Sequence, residues 1–172
     1  RTQAGESLQG IGYTVKVGKH AYITKATSHL MKDLGSMQSP MNACLLNIGL
    51  ETLHLRVPRH CEKARKTAEF LSNHEKVAWV NFAGLPDNKY HTLAEKYLPG
   101  GTCGVISFGL KGGRAAAGKM MDQFHMIAIV THVADARTCV LHPASHTHRQ
   151  MTDEQPKEAG IAQDLVLLSV GI

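Results

Sequence analysis

Aromatic residues make up 5% of this 172-residue chain, with a single tryptophan, and its four cysteines form no close pair. Each shortage excludes something. Cys44, Cys61, Cys103 and Cys139 lie far apart without a CxxC spacing, so they read as reduced core thiols and not as a disulfide frame. No apolar run approaches the roughly 20 residues that a membrane span needs. Residues 1 to 20 also lack an apolar signal-peptide core, and the expectation is a soluble cytoplasmic protein. There is no internal repeat and no low-complexity tract. The glycine-rich segment Gly109-Leu110-Lys111-Gly112-Gly113-Arg114 lacks both the P-loop and the dinucleotide spacing, and reads as a tight turn ahead of a helix. The net charge is +5, but the basic residues are interleaved with acids, as in Glu62-Lys63-Ala64-Arg65-Lys66 followed by Glu69. That pattern is a solvated surface and not a nucleic-acid face.

What the chain does have is alternating helix and strand periodicity. Hydrophobic residues at 43% and charged residues at 19% suit one globular domain, which at this length buries roughly two thirds of its unfolded surface. Arg1 to Val17 shows only a short alternation at Tyr13, Val15 and Val17, compatible with an edge strand or a loose tail. Gly35 fits the residue after a helix, and Ser39 with Pro40 fits an N-cap followed by the first helical position. Leu46, Leu50, Leu53, Val57, Cys61, Ala64, Ala68 and Leu71 recur by threes and fours, which predicts a long helix with one face in the core throughout. Pro58 interrupts it, and a kink near His54 to Val57 or a division into two helices is expected.

Farther along, Lys76 to Phe82 and Cys103 to Leu110 read as strands, and Tyr90 to Leu98 and Arg114 to Phe124 as helices. Met126 to Val130, Thr138 to Leu141 and Leu165 to Ile172 are further strands. The order predicts a two-layer α/β domain, with helices on one face of a sheet.

The densest polar stretch is Thr131 to Gln150, THVADARTCVLHPASHTHRQ, with four histidines and a small-residue turn. Val133, Asp135 and Ala136, then His142, Pro143, Ala144, Ser145, Thr147, His148, Arg149 and Gln150, match a turn and a loop segment that recur together in one family. The terminal Leu168, Ser169, Val170, Gly171 and Ile172 match its last strand. Lys32, Asp33, Leu34 and Gly35, with Ser39, Pro40, Asn42 and Ala43, match its linker helix. By these residues the chain, over about residues 20 to 172, resembles the C-terminal portion of the Cys/Met-metabolism family of pyridoxal-phosphate (PLP) enzymes. The nearest branch is the one that acts on O-acetylhomoserine.

That resemblance implies the small C-terminal domain of a fold-type I PLP transferase, preceded by a long linker helix. Residues 1–38 would be the tail and linker from an N-terminal large domain, and residues 39–172 the C-terminal α/β domain. Since it opens on Arg1 and ends on Ile172 at an expected strand, the chain is expected to be a segment of a longer polypeptide. The implied partners are that large domain, further copies of the chain (tetramers in the family) and a small amino-acid substrate.

PLP chemistry needs a lysine for the Schiff base and a carboxylate at the ring nitrogen. No Ser-x-Thr-Lys motif occurs in the 172 residues, so the expectation is no covalent PLP on this segment and no catalytic residue within it. What the C-terminal domain supplies in the family is recognition of the substrate carboxylate, by an arginine in the last strand. Leu167 occupies that position. The family's turn asparagine and glycine fall on His132 and Ala134. His132, Val133, Ala134, Ser145 and Leu167 are therefore the expected substrate-binding residues, of a copy that is diverged or impaired.

The same residues admit two other readings. His142, His146 and His148, with His132, offer imidazole ligands, but no thiolate or carboxylate completes a zinc pattern, and no metal is expected. His142 and His148 read instead as hydrogen-bonded histidines that fix the loop before the last strand. The alternative to an enzyme segment is a non-catalytic remnant or interaction domain of the same fold.

Overall fold

In a computed structural model that describes residues 12–146 and 161–172, the chain groups into two compact units that divide between Leu50 and Glu51. The first unit is helical from Tyr13. α1 (Tyr13–Val17) leads through a 3-10 turn to α2 (Ala21–Lys25), and a π-helical stretch (Ala26–Met31) leads to α3 (Lys32–Leu34). The strand or tail expected around Tyr13, Val15 and Val17 is thus a helix, closed by the Lys16 N–H to the Gly12 carbonyl at 3.2 Å. Three alternating apolar residues fit either period, and the local backbone bonds decide. Gly35 ends the helix at φ +65°, the left-handed conformation that glycine adopts without steric cost. Ser39 then accepts the Asn42 N–H at 3.3 Å, and Pro40 opens α4 (Pro40–Glu51), as the capping pattern requires.

The second helix of the long apolar stretch is α5 (Leu53–Ser72), set off from α4 by one non-helical residue, Thr52. Of the two expectations for Pro58, division into two helices is the one found. The break falls ahead of His54, and Pro58 sits inside α5, where it withholds a donor from the His54 carbonyl. The apolar face is core only in part. Ala64 and Ala68 are completely buried, whereas Leu46 and Leu50 are each 60% exposed and Val57 46%. Burial on α5 begins at His60, whose Nδ1 lies 2.6 Å from the Val170 carbonyl.

Among the described residues, five strands form one sheet: β1 (Val77–Asn81), β2 (Val105–Leu110), β3 (Ala128–Ile129), β4 (Cys139–Leu141) and β5 (Leu165–Ser169). Their order is β1-β2-β5-β4-β3, antiparallel except for the parallel β3–β4 pair. α6 (His91–Tyr97) and α7 (Gly113–Met121) lie between strands in sequence. Val80, Phe108 and Val166 line up across three strands, as do Ile106, Leu168 and Val140. Those residues pack with Ala64 and Ala68 of α5 and Ala117 and Met121 of α7 in one core. A register shift between Val77 and Trp79 lets Val77 and Val80 both turn toward it. The α/β two-layer expectation holds.

Successive left-handed glycines, Gly112 (φ +102°) and Gly113 (φ +62°), make the turn into α7, so the glycine-rich segment is the tight turn that its spacing predicts. The thiols depart from expectation. Only Cys139 is buried; Cys61 is half-buried, and Cys44 and Cys103 are exposed, although all four are free. No helix among the described residues is long and apolar enough to cross a membrane.

Candidate functional site

Strand alternation gives the sheet two unlike faces. One packs on the helices. The other carries the opposite residues of each strand: Trp79 and Asn81, then Val105, Ser107 and Gly109, then Leu165, Leu167 and Ser169, then Cys139 and Leu141. One row crosses four strands directly, Asn81 to Ser107 to Leu167 to Leu141. Leu167, half-buried, therefore stands between a serine and a leucine on the open part of the face turned away from the core. Asn81 Nδ2 donates to Ser107 Oγ at 3.4 Å, and Asn88 Nδ2 donates to Asn81 Oδ1 at 2.9 Å, which makes the β1 side of this row polar.

The turn at 132–136 is tied to the same strand. The Ala134 N–H donates to Ser169 Oγ at 3.0 Å, and Ser169 is two residues from Leu167 on the same side of β5. Ala134 has φ +60°, the single non-glycine residue at positive φ among the described residues. That is the position where the resemblance places glycine. The end of β5 is held from the other side as well, with Gly171 N–H donating to Thr138 Oγ1 and Ile172 N–H to the Ala136 carbonyl, both at 3.0 Å. A side chain at Gly171 would run into the backbone of Ala136 to Thr138, which is why this strand ends in glycine.

Electrostatics on the turn are set by Asp135. Its carboxylate accepts the Arg137 side chain at 3.0 Å and the Arg137 backbone N–H at 2.9 Å. These bonds, with the Arg137 charge and a smaller effect of nearby His132, hold the Asp135 carboxyl down at about 2. The Arg137 guanidinium is thereby engaged by Asp135. Arg149, the other arginine near this segment, lies outside the described residues, as do Thr147, His148 and Gln150.

Ser145 has a different surrounding. His142 is completely buried; its Nε2 donates to the Gln163 carbonyl at 3.0 Å, which leaves Nδ1 to accept the Ser145 hydroxyl at 2.9 Å. His142 thus fixes the loop ahead of β5, the role read for it from the sequence. With both ring nitrogens bonded it has none left for a metal ion. His146 bonds the His142 carbonyl through Nδ1 at 2.9 Å, and among the described residues no three metal-ligating side chains converge.

The structure brings Ala134 and Leu167 to one strand and, through Leu141 and His142, sets Ser145 in the segment following β4. His132 and Val133 are exposed beside Ala134. None of the five lines either of two sizeable cavities. One, of about 650 Å³, lies between α5, α6 and the Leu98–Thr102 loop, and the other, of about 640 Å³, is an apolar groove between α5 and α7. Sequence reasoning missed Asn81 and Ser107. Alternation marks each as outward-facing, but placing them beside Leu167 needs the strand pairing, which no local pattern supplies.

The residues on this face do not fit the covalent anchoring of PLP. No strand residue of the open face is a lysine, and the nearby carboxylate, Asp164, already accepts the Trp79 indole N–H at 2.8 Å.

Comparisons with known proteins identify the family. The profile of the Cys/Met metabolism PLP-dependent enzymes matches residues 5–172. O-acetyl-L-homoserine sulfhydrylase 1 of Thermus thermophilus is 38% identical over 99% of this chain, and the homocysteine synthase of Schizosaccharomyces pombe 39% identical over 95%. The chain spans 41% and 38% of those proteins, respectively. Among solved structures, an O-acetylhomoserine (thiol)-lyase of Campylobacter jejuni that carries pyridoxyl-lysine phosphate superimposes with a TM-score of 0.80, at 32% identity over 98% of this chain and 40% of that one. The cystathionine gamma synthase of Xanthomonas oryzae, in complex with cystathionine, gives 0.79 at 34% identity over 90% of this chain and 39% of that one. With the profile covering almost the whole sequence, the chain belongs to the Cys/Met-metabolism family of PLP-dependent enzymes.

Proposed function

We propose that this chain forms one wall of the substrate cavity of an O-acetylhomoserine sulfhydrylase-like enzyme, which converts O-acetylhomoserine and sulfide to homocysteine and acetate. The PLP-bearing lysine and the acid at its ring nitrogen come from polypeptide other than residues 1–172, and the cofactor supplies the electron sink when bound. His132, Val133, Ala134 and Leu167 face the amino-acid end of the substrate, and Ser145 stands behind them with its hydroxyl held by His142. The observation that carries this reading is the open-face row with Leu167 between Ser107 and Leu141, and the 132–136 turn bonded to the same strand by Ala134 and Ser169.

Leucine offers a carboxylate neither charge nor donor, so binding at that end rests on neutral groups and the enzyme is weakened or altered in specificity. Leu167→Arg in the full-length protein should raise kcat/KM for acetate release by about tenfold or more, since a hydrogen bond to a charged group contributes roughly 1.5–3 kcal/mol. The full-length protein should also show the visible absorbance of lysine-bound PLP. A coloured protein in which Leu167→Arg changes nothing would remove Leu167 from the cavity wall. A colourless, inert one would leave the second reading, a non-catalytic association domain, favoured by the exposed Leu46, Leu50, Leu53 and Val57.

A further inference from the structure

Cys61 and Cys103 come from different elements and are drawn together by the backbone between Gly101 and Gly104. A Cβ built on Gly101 would stand 2.9 Å from Cys61 Cβ and 3.0 Å from Cys61 Sγ, so the Cys61 side chain lies directly on the Gly101 backbone. A Cβ on Gly104 would stand 3.2 Å from the Cβ of His60, the residue before Cys61. The segment therefore runs alongside one turn of α5 and touches it at both ends, with Cys103 between the contacts. Cys103 is two residues from Gly101, a reach of at most about 7 Å along an extended chain. A disulfide spans about 4.4–6.8 Å between Cα atoms, so closing the bridge requires the loop to bring Cys103 onto the same turn of α5. Gly100 and Gly101, the latter at φ +129°, give the loop that freedom.

Cys61 also responds to its neighbour. Burial pushes the Cys61 thiol pKa up, and the Cys103 thiol nearby adds to the rise. Cys103 itself is exposed and turned toward the Val105 carbonyl at 3.3 Å, a rotamer that one side-chain rotation releases.

We propose that Cys61 and Cys103 are a thiol–disulfide exchange site that reacts with low-molecular-weight disulfides such as oxidised glutathione. The exposed Cys103, as thiolate, attacks one sulfur of the small disulfide and expels one equivalent of its thiolate. Cys61, deprotonated in turn, attacks the Cys103 sulfur of the mixed disulfide and expels the second. Two protein thiols are oxidised to one disulfide, one small disulfide is reduced to two thiols, and the two protons pass to the thiolates released. The bridge would tie α5 to the loop before β2, at the edge of the cavity that Cys61, Gly101 and Thr102 line.

The test is to treat the full chain with oxidised glutathione, quench with acid, alkylate the remaining thiols and map all four cysteines by mass spectrometry. Cys61 and Cys103 should lose their free thiols together and appear in one cross-linked peptide, restored by dithiothreitol, while Cys139 stays free. C61S should leave Cys103 as a persistent glutathione adduct. The proposal fails if the unsubstituted protein accumulates that adduct with Cys61 still alkylatable, if neither thiol reacts, or if Cys103 joins another cysteine or a second chain. The unsubstituted protein alone decides the matter even if C61S does not fold.

Discussion

Ala134 carries a methyl group in a conformation that L residues avoid. Its φ of +60° is demanded by the turn, whose N–H must reach Ser169 while Asp135 faces Arg137. A left-handed residue with a Cβ costs roughly 1–2 kcal/mol relative to a relaxed one. Ala134→Gly should therefore stabilise the protein by about 1 kcal/mol, measured as a higher midpoint in urea at unchanged slope. Beside it, Asp135 gives a pH signature. Its folded pKa of about 2 lies below its ordinary value of 3.8, so folding favours the charged form. That contribution is complete above the ordinary value and disappears as pH falls through about 2. Asp135→Asn should remove that contribution above the window, flatten the acid limb of the stability curve inside it, and leave stability below about pH 2 unchanged.

Much of this residue-level picture was legible beforehand. The mismatch expected at Leu167 and the glycine position expected at Ala134 come from the resemblance to the family's motifs. The positive φ at Ala134 and the engagement of Arg137 by Asp135 do not, because both depend on the way the turn closes in space. Ser145 shows the same limit: proximity to histidines in sequence says nothing of which ring nitrogen it meets.

At the scale of elements, periodicity located the helices and strands well and misjudged what covers them. The aliphatic stripe from Leu46 to Leu71 is one pattern in sequence, yet burial on α5 begins only at His60. Period reports which residues share a face and is silent on whether a neighbouring layer extends beneath it. The strands offer a sharper check. Trp79 of β1 bonds Asp164 directly above Gly109 of β2, and a Cβ at Gly109 would fall on both partners. Gly109→Ala should break that bond and destabilise the fold by roughly 1–3 kcal/mol, the usual penalty when a buried hydrogen bond is lost. Since Trp79 is the only tryptophan, native-state fluorescence reads the change without interference. An unaltered emission maximum in Gly109→Ala would show that the contact is not tight.

For the whole molecule, the apolar surface of α4 has a solution consequence. Leu46, Ile48 and Leu50, each more than half exposed, exceed what a monomeric surface ordinarily shows on one helix. The 172-residue chain should self-associate with rising concentration, and L46K combined with L50K should shift sedimentation toward the monomer. Equal sedimentation of the two would assign that surface no part in association.

The order of strands also governs how the domain is made. β5 is last in sequence yet central in the sheet, between β2 and β4. On a ribosome, which delivers the chain from its N-terminus, the β1–β2 ribbon and the short β3–β4 pair emerge with a vacant slot between them. Val166 and Leu168 are still inside the exit tunnel when Ile106 and Phe108 are already outside. Until that final segment clears, half-made copies present two open edges to one another, so crowding on a polysome is the hazard this topology creates.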